Sequence, residues 1–171
     1  MLDITFKITD DSGFMALVNP DRYRAFVDAD WSFDDLQGRF LEEMKNNTLI
    51  IWGTGMEHEW AVRVLEEPSG LTAFRQFEKQ IAVTNGRLAL TNYEDLTMAA
   101  QFEDESIPSK HNADLMITLD NGMYVATIRQ LVDPSALPVL SAGQAHFEIV
   151  LAPAGADELR VEAISHIWWS E

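Results

Sequence analysis

The chain has 171 residues, no cysteine and a net charge of −16, from 12 Lys and Arg against 28 Asp and Glu. The missing cysteines exclude disulfides, thiolate metal sites and cysteine nucleophiles, and they favour a cytoplasmic address. The charge argues against nucleic-acid binding and against anionic membranes, whose phosphates would repel the chain, and it suits solubility or steered association with a basic partner.

The excess of acid is evenly spread: residues 1–70 hold 14 acids and 6 bases, and residues 71–171 hold the same. The length predicts a single globular domain over 1–171, large enough to bury about 70% of the surface of the unfolded chain. Met1–Thr9 lacks the basic start and apolar core of a signal peptide. No apolar run approaches the ~20 residues that span a bilayer, so a soluble, cytoplasmic protein is expected.

Leu2–Thr9 alternates, with Leu2, Ile4, Phe6 and Ile8 on one face, and predicts a half-buried strand. Asp10–Gly13 reads as a turn, and Phe14–Val18 as a short apolar run stopped by Asn19-Pro20. Arg22–Asp30 fits no single pattern. Ser32–Lys45 is the one clear amphipathic helix. Ser32 and Asp35 form a capping-box-like start, Asp34 and Asp35 favour the positive end of the dipole, and Phe33, Leu36, Phe40, Leu41 and Met44 make one apolar stripe. Thr48–Trp52 predicts a buried strand. Glu57–Leu65 predicts another, with His58, Trp60, Val62 and Val64 opposite Glu59, Ala61 and Arg63.

Two stretches, Gln80–Tyr93 and Ala113–Asp133, place Asn-Gly between strand-forming runs, at Asn85-Gly86 and Asn121-Gly122. Both residues tolerate the positive φ of a type I′ turn, so each stretch is expected to fold as a hairpin. They are too divergent to mark an internal repeat. Tyr93–Phe102 fits a short helix and a strand equally well, and Glu103–Asn112 is a polar surface loop. Pro134–Gln144 is an irregular connection, Ala145–Leu151 a strand and Leu159–Trp169 a last strand. Nine or ten strands at roughly 10-residue spacing with one helix predict a mainly antiparallel β-sandwich, or a barrel-like relative of one.

No catalytic motif is present. Gly53-Thr54-Gly55 lacks the rest of a phosphate loop, and His58-Glu59 lacks the second histidine of a zinc-protease helix. Scattered histidines at 58, 111, 146 and 166 are a weak metal signal beside the simpler reading of core and loop side chains. No metal and no cofactor is expected. Asp28, Asp30, Asp34 and Asp35 surround Trp31 at the helix start, and Glu103, Asp104 and Glu105 make a second dense acidic stretch. Both sets are explained by solvation. They are also suitable for binding a basic partner beside an aromatic anchor, and less so for paired-carboxylate catalysis. Trp52 and Trp60 are expected in the core. Trp168 and Trp169 cannot both point inward on a strand, so one of them is a candidate interface residue, consistent with a homodimer.

The layout also resembles the bacterial competence-associated nuclease inhibitor family. The residues that carry the likeness are an early strand, Asp30-Trp31 before a helical stretch, the strand Thr48–Trp52, then Val83-Thr84-Asn85-Gly86 and Leu119-Asp120-Asn121-Gly122-Met123-Tyr124. It covers residues 1–132, while Ala145–Trp169 and the length depart from it. The resemblance implies a β-sandwich that binds and blocks a nuclease, and it transfers no contact residue. The expected function is therefore a non-enzymatic acidic binding protein, an inhibitor or immunity protein for a basic toxin or nuclease. The alternative is a β-sandwich domain with a structural or small-ligand role.

Overall fold

The structure, a computed structural model, describes residues 1–155. The expected last strand Leu159–Trp169, with Trp168 and Trp169, lies outside the described residues. Among the described residues nine strands run in chain order: β1 Asp3–Asp10, β2 Phe14–Val18, β3 Leu49–Gly53, β4 His58–Leu65, β5 Arg75–Val83, β6 Arg87–Asn92, β7 Met116–Thr118, β8 Gly122–Gln130 and β9 Phe147–Pro153. Helix α1 spans Phe33–Lys45, and α2 spans Tyr93–Gln101. A five-stranded sheet has the order β1-β4-β9-β8-β5 and a four-stranded sheet the order β3-β2-β6-β7. Neither closes on itself among the described residues, so the barrel-like alternative falls and the sandwich stands. One pairing departs from the antiparallel expectation. β9 runs parallel to β4, with Val62 opposite Phe147 and Val64 opposite Ile149.

The burial pattern separates the two sheets. In β1, β5 and β8 exposed or half-buried residues alternate with more buried ones, as one wet face requires. In β3 every residue is buried, and in β2 and β6 all but the first. The four-stranded sheet has the five-stranded sheet on one face, while α1 packs on β3 and α2 on β2 and β6. A sheet covered on both faces reads as an unbroken apolar run, which is why Phe14–Val18 and Thr48–Trp52 show no alternation. Trp52 and Trp60 lie in the shared core, both fully buried.

The two Asn-Gly corners do not make two hairpins. β5 enters the five-stranded sheet while β6 enters the other, and β7 and β8 part in the same way. Only the Thr84–Arg87 bridge survives of the first hairpin. Instead the two stretches pair with each other: Arg75–Val83 lies along Gln130–Gly122, and Arg87–Ala89 along Thr118–Met116. The result is one long ribbon that bends from sheet to sheet at both corners. The corners are tied by Gly86 N–H to Asn121 Oδ1 at 2.7 Å and by Leu119 N–H to the Gly86 carbonyl at 3.0 Å. Asn85 and Gly86 take the expected positive φ, 54° and 70°; at the second corner only Gly122 does. Splitting the ribbon lets its apolar residues face the space between the sheets from both sides, which two closed hairpins could not do.

Helix α1 begins as expected. Ser32 Oγ accepts Asp35 N–H at 3.1 Å, and Asp35 Oδ2 accepts Ser32 N–H at 3.2 Å. Ser32→Ala is expected to cost about 1 kcal/mol, measurable by urea denaturation. Leu36, Phe40 and Met44 are buried, but Phe33 is 61% exposed, and Glu43, off the apolar stripe, is buried. The ambiguous Tyr93–Phe102 is helical because Asn92 caps it, its Oδ1 accepting Asp95 N–H at 3.0 Å. A short 3-10 turn, Lys110–Asn112, interrupts the expected loop.

Candidate functional site

Residues 19–31 cross from the end of β2 to the start of α1 without regular structure, and four anchors hold them. Asn19, fully buried, donates through Nδ2 to the Ala82 carbonyl at 2.8 Å and to Thr84 Oγ1 at 3.0 Å. Its Oδ1 accepts the N–H groups of Asp21 and Arg22, an Asx turn. Glu43 of α1 accepts from Arg24 N–H at 2.8 Å, Arg24 Nε at 3.2 Å and Thr48 Oγ1 at 2.9 Å, which explains why a carboxylate sits buried. Arg39 of α1 donates to the carbonyls of Arg24 and Phe26 at 2.7 and 2.6 Å. Finally the Ala100 carbonyl near the end of α2 accepts Val27 N–H at 2.9 Å and Asp28 N–H at 3.1 Å.

That last anchor joins the two acidic stretches. Asp28, Asp30, Asp34 and Asp35 follow it in the crossing segment and the first turn of α1; Glu103, Asp104 and Glu105 follow it beyond α2. All seven are exposed, and none forms an ion pair among the described residues. Asp28 Oδ1 accepts Asp30 N–H at 2.9 Å, which shapes the turn before Trp31. Trp31 is half-buried and packs against the core, so its ring is only partly available as an anchor. The exposed apolar side chains on these segments are Phe26, Phe33, Met98 and Phe102, between 37% and 61% exposed. Sequence reading missed them. Phe33 falls on the stripe expected to be buried, and Phe102 ends a segment of undecided type.

Other titratable groups are distributed through the fold. Among the described residues no three His, Asp or Glu side chains converge as metal ligands. Burial raises the Tyr23 phenol well above its ordinary value, with Glu43 adding to the shift. Burial also raises the Glu94 carboxyl in the first turn of α2, and the nearby Ser12 hydroxyl offsets only part of this. Neither Glu94 oxygen makes a hydrogen bond of standard geometry. A carboxyl with a raised folded pKa stabilises the fold below its unfolded value of 4.5, and that contribution is lost as pH rises through the folded value. Glu94→Gln is therefore expected to raise Tm at neutral pH by on the order of 2 °C, a gain that vanishes near pH 4 in thermal melts across pH.

A concave feature lies over part of the five-stranded sheet, with a cavity volume of about 720 Å³. Thr5, Lys7, His58, Glu59 and Ala61 of the sheet line it, together with residues 137–144 and His146. The two imidazoles meet edge to face at 5.2 Å, and each also contacts Trp60.

No helix among the described residues is long and apolar enough to cross a membrane. No protein-family model matches the chain, and no curated protein matches it by sequence. Solved structures do share its fold. One, described as crocagin biosynthetic gene J, is 17% identical, with a TM-score of 0.58, over 89% of this chain and 96% of that one. Another is ComJ of Bacillus subtilis, inhibitor of the DNA degrading activity of NucA. It is 13% identical, with a TM-score of 0.50, over 88% of this chain and 96% of that one. The likeness to a competence-associated nuclease inhibitor, read from residues 1–132, thus holds across most of the chain as a likeness of fold.

Proposed function

We propose that this chain is a non-enzymatic cytoplasmic protein that binds and inhibits a basic partner, a nuclease or a toxin. One observation carries the reading: seven exposed, unpaired acids and four exposed apolar side chains sit on segments joined through the Ala100 carbonyl. Such a surface offers a basic DNA-binding face the charge it meets on phosphates, with apolar contacts that phosphates lack. The net charge of −16 supports fast, steered encounter. The fold shared with ComJ, an inhibitor by its description, supports the same class of function.

The test is a DNA-degradation assay with a basic nuclease of the NucA type, titrated with the whole chain. Inhibition saturating at a fixed stoichiometry is expected, with affinity falling at least tenfold between about 50 and 500 mM salt as charges are screened. Undiminished degradation at large excess of the chain, at the lower salt, would sink the inhibitor reading. A small-ligand role is the second reading, and the cavity between Lys7, Glu59 and residues 137–144 favours it. Filling that cavity with Ala61→Trp separates the two: it should abolish small-ligand binding and leave nuclease binding unchanged.

A further inference from the structure

His146 sits where three parts of the chain meet. Its N–H donates to the Ala61 carbonyl at 2.9 Å, and its carbonyl accepts Leu131 N–H at 2.8 Å. Its imidazole Nδ1 accepts the Ala61 N–H, also at 2.9 Å. Ala61 is thus held twice by one residue, immediately before the parallel β4–β9 pairing begins at Val62. A ring nitrogen that accepts from a backbone N–H must keep its lone pair, so this imidazole is neutral with its proton on Nε2. The residue is only 6% exposed.

The segment leading into His146 has few other ties. The hydrogen bonds of residues 134–144 among the described residues stay within the segment or reach Asp133: Ser135 and Ala136 to Asp133, and Ser141 and Gln144 to each other. Pro134 is seated against Gly55, where a Cβ would lie 2.5 Å from Pro134 Cγ, and Leu137 touches the core. Val139 is 98% exposed. This segment lines the 720 Å³ cavity together with Thr5, Lys7 and Glu59, which stay exposed, so whatever holds its end sets the shape of that side of the cavity.

We propose that His146 is a pH-sensitive latch on the 134–145 segment: neutral, it holds the end of the segment against the sheet beside the cavity, and protonated, it releases it. A proton taken up at Nδ1 leaves the ring with two donors and no acceptor, so the Ala61 N–H faces another N–H. The new cation also lies in a buried site, beside His58 and Trp60. The charged and titratable groups around it are His58 and Glu59 on β4 and Lys7 on β1, opposite Ala61. Further along β9, Glu148 is engaged by Arg129 of β8. Among the described residues Glu59 is thus the one acid on the cavity lining, against Lys7 and a second imidazole. Burial and His58 both hold His146 below its ordinary value of 6.5. The folded state therefore binds this proton less readily than the open one, and the latch is stable above about pH 6.5 and weakens as pH falls below it.

The experiment is an NMR titration of the ¹⁵N-labelled whole chain between about pH 8 and pH 5. The His146 ring and the Ala61 amide are expected to titrate together, with a midpoint below 6.5. From about pH 7.5 to 5.5, exchange of the Ala61, Leu131 and His146 amides, normalised for intrinsic rate, should rise at least tenfold, and the ¹H–¹⁵N NOE of residues 137–144 should fall. In His146→Asn the side-chain oxygen still accepts the Ala61 N–H but cannot titrate, so both responses should disappear. An Ala61 amide that ignores the ring titration, or the same acid response in His146→Asn, overturns the latch. If the Asn variant does not fold, co-titration in the parent chain decides alone.

Discussion

Asp10→Ala is expected to destabilise the fold by about 4 kcal/mol, the largest effect of any single side chain considered. Asp10 is 1% exposed and accepts five hydrogen bonds. Its Oδ1 takes the N–H groups of Ser12, Gly13 and Phe14 at 3.1, 2.7 and 3.0 Å, which closes the β1–β2 turn. Its Oδ2 takes Thr54 Oγ1 at 2.7 Å and Trp60 Nε1 at 3.0 Å. One carboxylate therefore joins the turn leading into the four-stranded sheet, the loop after β3, and the core tryptophan of β4 in the other sheet. Alanine leaves the indole N–H buried without a partner and frees the turn. The Thr54 hydroxyl suffers less, because it also bonds the Met56 carbonyl at 2.8 Å. Asp10→Asn keeps the shape but turns a donor toward Thr54 or Trp60, and should cost about half as much. Urea denaturation checks both; a loss under about 1 kcal/mol for the alanine variant would mean that solvent replaces these bonds and Asp10 ties nothing together.

Reversing four acids of the candidate surface, Asp28, Asp30, Glu103 and Asp104, to lysine is expected to weaken binding to a basic nuclease at least 100-fold at low salt, or about 2.7 kcal/mol. All four are exposed and carry no ion pair among the described residues, so the relief of like charge offsets the loss of the Asp28–Asp30 turn bond and Tm should change little. Asp34 and Asp35 are left intact because they support the N-terminus of α1. Each reversal adds two charges, so the net charge moves from −16 to −8. A matched control reverses Glu57, Glu67, Glu78 and Asp120, exposed acids on the five-stranded sheet and its loops, and reaches the same −8. Calorimetry on both sets separates a surface from an average. If the control loses as much affinity, the charge acts as a whole and the Ala100-centred patch is not the contact.

Much of the secondary structure is legible in the residues. β1, β2, β3, β4 and β9 fall within two residues of the expected runs, because alternation and unbroken apolar stretches are direct imprints of one-sided and two-sided burial. The capping box at Ser32 is equally local. Helix α2 was readable in principle, since Asn92 stands three residues before Asp95 as an N-cap should, but Leu96, Met98 and Ala100 imitate a strand. The Asn-Gly corners misled for a deeper reason. They specify that the chain turns, and it does; they do not specify which strand the emerging segment will pair with.

The acidic surface follows the same division. The sequence by itself determined that Asp28–Asp35 and Glu103–Glu105 are dense acidic stretches, that the core is apolar and cysteine-free, and that the fold is mainly β, since composition and short-range periodicity carry these properties. The tertiary structure alone decided that the Val27–Asp28 backbone bonds the Ala100 carbonyl, three residues before the second acidic stretch, that Glu43 is buried to hold Arg24, that Phe33 faces outward and that His146 closes on Ala61. Each of these depends on which segments lie side by side. Side-by-side placement is a long-range outcome of burying every apolar face at once, and no window of neighbouring residues contains it.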